Sequence, residues 1–322
     1  EVMKIQSLVK SLACLFVVLI ISSLFFYYKE EPVFPRQTKI GATYMTMNND
    51  FYKYLNAEVE KNVNEQHDLL YTRDPALSIK KQVEQIRFFI KERVDVIIIN
   101  PVDGNSKLLI NSLKRARKQG IKVIAVDSQF KDNSAINTTI VSDNYKAGVL
   151  CAQEMIRKQK GAKILLLEHR NALSATSRIQ GFLDTIKTHK DYQVVARIDS
   201  LGQTEIAMPK VKKLIENGLT FDTVMALNDR AAIGALAAVK GEKLPTNPYI
   251  YGIDGSPDMK NLLSATSEVQ ATVAQSPYTM GQEVTKASLK LSKNQTYPKR
   301  IVVPVELITK KTIGKYDLTG WQ

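Results

Sequence analysis

Residues 94–103 read VDVIIINPVD and residues 121–129 read IKVIAVDSQ. Each is a short run of mostly Val, Ile and Ala that stops abruptly at an Asn or Asp. Apolar, β-branched runs without polar alternation mark strands buried on both faces, as in a parallel sheet covered by helices. Between the two runs, Leu108, Leu109 and Leu113 carry helical spacing. The alternation extends outward in both directions. Upstream, strand-like residues 39–44 and 67–71 are followed by helical stretches at 51–63 and 79–91. Downstream, strand-like runs near 163–167, 193–198, 221–227, 249–253 and 269–274 are separated by helical segments. About ten strands are many for one open sheet, so two α/β lobes are expected.

Ligands of open α/β sheets bind beyond the carboxyl ends of the strands. The residues that follow each run are therefore the candidate site. They are Asn49, Asp50, Phe51 and Tyr52 after the first run, then Asn100 and Asp103, then Asp127, Ser128 and Gln129. Ser142, Asp143 and Asn144 come next, then Asn228 and Asp229, then Asp254 and Gly255, and last Gln275. Any one of them is also what a helix N-cap requires. Gathered at one edge with Phe51, Tyr52 and Arg178, they offer paired donors and acceptors to vicinal hydroxyls and aromatic faces to a sugar ring. Neither GxGxxG nor GxxxxGK[ST] occurs, so a phosphate-cradling loop of either kind is not indicated.

The N-terminal segment sets the compartment. Residues 11–28, SLACLFVVLIISSLFFYY, contain no charge. Eighteen residues make about 27 Å of helix, close to the ~30 Å hydrocarbon thickness of a bilayer. Lys4 and Lys10 precede the run, and Lys29, Glu30 and Glu31 follow it, an asymmetry that predicts an N-terminus inside and the bulk of the chain outside. A cleaved signal peptide is the competing reading. The run is longer than a usual signal core and ends in Phe25, Phe26, Tyr27 and Tyr28, which favours an uncleaved anchor. Residues 29–37, KEEPVFPRQ, read as a short stiff spacer.

Composition narrows the partners. The chain has 322 residues, 44% hydrophobic and 24% charged, with a net charge of +13. Residues 1–37 hold four Lys/Arg and three Asp/Glu, so 41 basic and 29 acidic residues, a net of +12, belong to residues 38–322. The basic residues are dispersed with no run of five, which favours a solvated surface over a nucleic-acid groove. Cys14 and Cys151 form neither a disulfide framework nor a four-cysteine zinc site, and no cofactor or metal is expected. His67, His169 and His189 are scattered, with no HExxH or GxSxG motif.

The stretches TMNNDFY (46–52), VIIINPVD (96–103), VIAVDSQ (123–129), VSDN (141–144), SRIQGF (177–182), ALNDRAAIGALAA (226–238), YGIDGSPD (251–258) and ATVAQSPYTMG (271–281) occur in this order. On these stretches residues 38–322 resemble the ribose-binding-protein-like family of type I periplasmic sugar-binding proteins. The resemblance implies an α/β clamshell of two Rossmann-like lobes, and the apolar N-terminal run is expected to precede it as one transmembrane helix. The corresponding segments are an anchor at 1–28, a spacer at 29–37, an N-terminal lobe of 38–141 plus 276–304, and a C-terminal lobe of 142–275 plus 305–322. Crossovers fall near 141–143, 275–277 and 304–306. Carried over by motif, Asn49, Phe51, Tyr52, Asn100 and Asp127 would bind ligand from the first lobe. Arg178, Asn228, Asp254 and Gln275 would do so from the second lobe and hinge. Three departures bear on the ligand's identity: Ser128 where an arginine is usual, Asp50 for a common proline, and Ile253 where a ring often precedes the aspartate. His169, Arg170 and Asn171 are candidate replacement donors, with an ordinary surface loop as the equal alternative.

The resemblance implies a binding protein whose sugar stabilises closure, with a pentose such as xylose or ribose expected. The fixed anchor favours a co-sensor for a membrane histidine kinase through its ectodomain. The alternative is the binding component of a sugar transporter with an ATP-binding-cassette permease. A carbohydrate-active enzyme using Asp127 and Asp254 as a carboxylate pair ranks lower.

Overall fold

The computed structural model describes residues 2–30, 36–242, 244 and 247–322, which divide into two compact units, residues 1–37 and 38–322. In the first, α1 (Val2–Glu30) contains a stretch, Leu8–Lys29, with mean hydropathy 2.5, long and apolar enough to cross a membrane. Most of the expected spacer, residues 31–35, lies outside the described residues.

In chain order the second unit contains β1 (Lys39–Thr43), α2 (Asp50–Glu65), β2 (Leu69–Arg73), α3 (Ile79–Lys91), β3 (Val96–Ile99), α4 (Lys107–Lys118), β4 (Lys122–Val126) and β5 (Thr138–Ser142). It continues with α5 (Asn144–Lys158), β6 (Ala162–Glu168), α6 (Leu173–Ile186), β7 (Tyr192–Asp199), α7 (Thr204–Glu216), β8 (Thr223–Ala226) and α8 (Asp229–Gly241). β9 (Tyr249–Asp254), α9 (Pro257–Ala265), β10 (Val269–Ala274), α10 (Pro277–Ser292), β11 (Arg300–Val303) and β12 (Glu306–Thr309) complete it.

The strands form two six-stranded sheets, ordered β11-β5-β4-β3-β1-β2 and β12-β10-β9-β8-β6-β7. Every pairing is parallel except β12 with β10. β3 shows how the core is built. Val96, Ile97, Ile98 and Ile99 are all wholly buried, because helices cover both faces of the sheet. α3 turns Val83, Ile86 and Phe89 onto one face, and α4 adds Leu109, Ile110, Leu113 and Ala116. Burying a side chain of this size stabilises the fold by about 1.5–3 kcal/mol. Ser78 and Ser106 cap these helices through Lys81 N–H and Leu109 N–H, which holds each helix start at a strand's end.

The chain passes between the sheets three times, from β5 into α5, from β10 into α10, and from β11 into β12. α5 packs on α6 beside the second sheet, whereas α10 packs on α2 beside the first. β11 and β12 lie outside the strand runs legible in the sequence. RIVV and ELIT are four residues each and only partly buried, so neither carries the continuous apolar signal of an inner strand.

The lobes are drawn together across the cleft. Asn48 Nδ2 donates to Glu205 Oε1 at 2.8 Å, Gly104 N–H to the Asn171 carbonyl at 3.0 Å, and Ser174 N–H to Ser128 Oγ at 3.2 Å. A Cβ at Gly104 would lie 2.9 Å from Leu173 Cγ of the facing lobe and 2.5 Å from the Gln129 carbonyl of its own, so the close approach there needs glycine.

Candidate functional site

The cleft between the lobes encloses about 400 Å³ of space outside atoms, part of it continuous with solvent. Eight of the nine residues expected from sequence line it: Asn49, Phe51, Tyr52, Asp127, Arg178, Asn228, Asp254 and Gln275. All follow or end strands except Arg178, which α6 presents from the second lobe. Capping and lining coincide here. Asn49 Oδ1 accepts Phe51 N–H at 3.0 Å, and Asn228 Oδ1 accepts Ala231 N–H at 3.0 Å, so each residue starts a helix and edges the cleft.

Asn100 departs from the expectation of ligand contact. It is fully buried behind the cleft wall, where Nδ2 donates to Asp127 Oδ2 at 3.2 Å and to the Val126 carbonyl at 3.1 Å. Its Oδ1 accepts Met45 N–H at 3.1 Å, so all its hydrogen-bonding capacity is turned to the protein. Asn100 positions Asp127 and does not line the space. Tyr52 contributes from the other side, its hydroxyl donating to Asp127 Oδ2 at 3.0 Å.

Arg178 is the hub of the polar network. Its Nε donates to Asn144 Oδ1 at 2.7 Å and one terminal nitrogen to the Leu227 carbonyl at 3.0 Å. The same nitrogen lies 3.5 Å from Asp254 Oδ1, and the other terminal nitrogen 3.9 Å from Asp127 Oδ1. Gln275 Nε2 donates to Asp254 Oδ1 at 2.7 Å, while its Oε1 is buried without a hydrogen-bond partner. Burial pushes the Asp127 carboxyl above its ordinary range, with the Arg178 guanidinium pulling it down. Burial pushes Asp254 up to about 8, with Asp229 and Asp127 adding to the rise and Arg178 opposing it. Asp127 and Asp254 also adopt positive φ, 61° and 149°, and Leu201 on the facing loop has φ 51°. Such backbone is sparsely populated and persists where the surroundings enforce it.

The HRN segment after β6 separates into three roles. His169 lines the cleft, and burial holds its pKa below the ordinary imidazole value. Arg170 is largely exposed and pairs with Glu168, so it offers no donor to the cleft. Asn171 contributes its carbonyl to the contact with Gly104. Ser128 does not replace the missing guanidinium toward a ligand, since it does not line the cleft; its Oγ accepts Ser174 N–H from the facing lobe. Leu201, Gly202 and Gln203 also line the cleft and were not singled out from sequence. They follow β7, and the strand-end rule that found the others points to Gln203 as well. Among the described residues no group of three His, Cys, Asp or Glu side chains is arranged for a metal ion.

The arrangement suits recognition, with apolar rings and committed donors and acceptors in a cleft between two lobes. A family model described as a periplasmic binding protein domain matches residues 40–296. The chain belongs to the periplasmic binding protein family. This periplasmic binding protein is 27% identical over 277 residues to the ribose import binding protein of Bacillus subtilis (strain 168), covering 86% of this chain and 88% of that one. It is 27% identical over 249 residues to the D-xylose-binding periplasmic protein of Escherichia coli (strain K12), covering 70% and 73%. Its fold matches the periplasmic binding protein component of the arabinose ABC transporter from Shewanella sp. ANA-3 with a TM-score of 0.79 and 26% identity, over 86% of this chain and 94% of that one.

Proposed function

We propose that this chain is an extracytoplasmic sugar-binding protein that closes on a monosaccharide and delivers it to a membrane permease of the ATP-binding-cassette type. The cleft carries the reading: Phe51 and Tyr52 supply apolar ring faces, and Asn49, Asp127, Arg178, Asn228, Asp254 and Gln275 supply polar groups from both lobes. Ligand bonds reaching both lobes favour the closed state over the open one and shift its population. Hydrogen bonds of about 1 kcal/mol each, with ring packing, sum to about −8 kcal/mol, a micromolar affinity.

The import reading takes precedence over the kinase co-sensor expected from sequence. The relatives are named for ribose import and arabinose transport, whereas the co-sensor rests on the anchor reading of α1 alone. As a binding protein the chain uses Asp127 and Asp254 to hold hydroxyls, not to hydrolyse a glycosidic bond.

The test is a thermal-shift panel of pentoses and hexoses on the full chain in detergent micelles. Ribose, xylose and arabinose come first because those relatives are named for them. A ligand at about 100 times its Kd adds roughly 2.7 kcal/mol of stability. Silence across all sugars and cyclic polyols would refute the reading. Sugar-dependent association with a kinase ectodomain, without stimulation of a permease, would restore the co-sensor.

A further inference from the structure

The charge in the cleft does not balance. Asp127 and Asp254 face the space, each 4% exposed, and wholly buried Asp229 stands behind Asp254. Against them stands one guanidinium, that of Arg178. His169 does not supply a second cation, because burial favours its neutral form. Arg230 does not line this space, and its Nη2 is committed to Gln203 Oε1 and Glu205 Oε2, both at 3.1 Å. Asp229 is satisfied by the protein, accepting from Thr272 Oγ1 at 2.7 Å, Ser256 N–H at 2.8 Å and Ser256 Oγ at 2.9 Å.

The hydrogen-bond balance is skewed the same way. Three acceptors facing the cleft lack a close donor among the described residues. Gln275 Oε1 is buried with none, no described residue donates to Asp254 Oδ2, and the guanidinium stands off from Asp127 Oδ1 at 3.9 Å. The donors are mostly spent: Asn228 Nδ2 bonds the Gly202 carbonyl, and Arg178 is bound to Asn144 and Leu227. Asn49 Nδ2, the second arm of Arg178, the Ser174 hydroxyl and the one ring N–H of neutral His169 remain for hydroxyl oxygens. A buried acceptor left without a donor costs about 1–3 kcal/mol, and a buried unpaired carboxylate more. Hydroxyl donors on a ligand would answer the acceptors, and a positive charge would in addition answer the carboxyls, which without it keep a proton or remain unpaired.

We infer that the ligand is a monosaccharide-sized polyol bearing a primary amine, an amino sugar or aminocyclitol, whose ammonium sits against Asp254 and Gln275 on the Asp127 side of Arg178. This rests on the sugar-binding reading and narrows it. An ammonium presents three N–H donors and one positive charge, which answers both shortages at once. The groups facing Asp254 are Asp127, Asp229, Arg178, Tyr52 and Gln275, with His169 farther along the wall, while Asp50, Arg230 and Asp258 line the adjoining cavity that Asp254 also borders. Arg230 is engaged with Gln203 and Glu205, so Arg178 is the one guanidinium set against Asp254; burial keeps a proton on Asp254 near neutrality, and an arriving ammonium releases it.

Isothermal titration of the full chain in micelles, with matched probes, tests the inference. The probes are D-glucosamine against D-glucose and N-acetyl-D-glucosamine, and 1-amino-1-deoxy-scyllo-inositol against scyllo-inositol. At least one amine is expected to bind tenfold or more tighter than its hydroxyl counterpart. Repeating the titration in buffers of different ionisation enthalpy should reveal proton release for the amine and none for the neutral polyol. Asp254→Asn, which keeps the side chain's size and removes its charge, should abolish the preference; the proton-release readout on the unaltered chain stands even where that variant fails to fold. Neutral polyols binding as tightly as their amines would overturn the inference and leave the sugar-binding reading intact. Failure of every probe, and of the wider sugar panel, would overturn both.

Discussion

The indole of Trp321 meets the ring of Phe51 edge to face, 5.5 Å between centroids at 71°. Phe51 lines the cleft, and Trp321 is the chain's only tryptophan. The tail that carries it is pinned by Lys260 on α9, whose buried ammonium donates to the Asp317 and Gly320 carbonyls. The tail thus runs from a helix of the second lobe to α2 of the first, where Trp321 also contacts Tyr54.

This contact makes the indole a reporter of the cleft. Ligand addition is expected to shift or quench the intrinsic tryptophan emission, saturating with the Kd measured by calorimetry. Trp321→Phe should remove the signal and leave affinity within about threefold, since the ring packs behind Phe51 and does not line the cleft itself. Emission that stays constant while calorimetry shows binding would mean that Phe51 does not move on closure.

Gly148 on α5 faces α6 so closely that a Cβ there would lie 1.8 Å from the Arg178 carbonyl. Gly148→Ala is expected to cost about 1–3 kcal/mol through overpacking. It should also weaken ligand binding, because the helix it displaces carries the cleft's guanidinium. Gly241→Ala, with nothing within 4 Å of its Cβ, serves as the control and should leave both unchanged. Urea unfolding and titration of the two variants side by side decide the matter.

Ser128 and Ser174 bond across the cleft, a contact that parting of the lobes would break. Ser128→Ala removes one net contribution of about 1 kcal/mol from that state. Ligand affinity should fall about fivefold while the urea midpoint of the ligand-free chain barely changes. An equal fall in both would place the bond's effect on folding and not on closure.

Acidity should act through the buried carboxyls. Burial lifts Asp229 to about 6 and Asp254 to about 8, the latter helped by neighbouring Asp127 and Asp229 and opposed by Arg178. A carboxyl whose pKa is higher folded than unfolded holds more protons in the folded state between the two values. Its contribution is complete below the unfolded value of about 3.9 and is lost as pH rises through about 6 and then about 8. Asp132 and Glu283, held low by hydrogen bonds from Ser134 and Lys286, act in the opposite sense below that window, and His169, held low by burial, opposes it within the window as one group against Asp127, Asp229 and Asp254. The Tm of the ligand-free chain should therefore decline between pH 4 and 8, and Asp254→Asn should flatten the upper part. A Tm that rises across this range would contradict the assignment.

Much of this site is legible along the chain because a parallel strand ends abruptly where its ligand edge begins. VDVIII stops at Asn100 and IKVIAV at Asp127, and period and composition alone mark both stops. Asn100 nevertheless faces away from the cleft, because its partners Met45, Val126 and Asp127 come from other strand ends. Gln203 escaped notice because β7 is only partly buried and its hydrophobic signal is weak.

Sequence by itself determined the two-lobed α/β order, the apolar N-terminal segment and the identity of eight cleft-lining residues, since each follows from local periodicity or a motif. Tertiary structure alone decided what those residues have left to offer a ligand. Arg178 is occupied by Asn144 and Leu227, Gln275 spends its amide N–H on Asp254, and Ser128 turns to Ser174. Hydrogen-bond capacity is consumed by partners far away in the chain, so the surplus of acceptors and negative charge in the cleft appears only once the lobes are folded together.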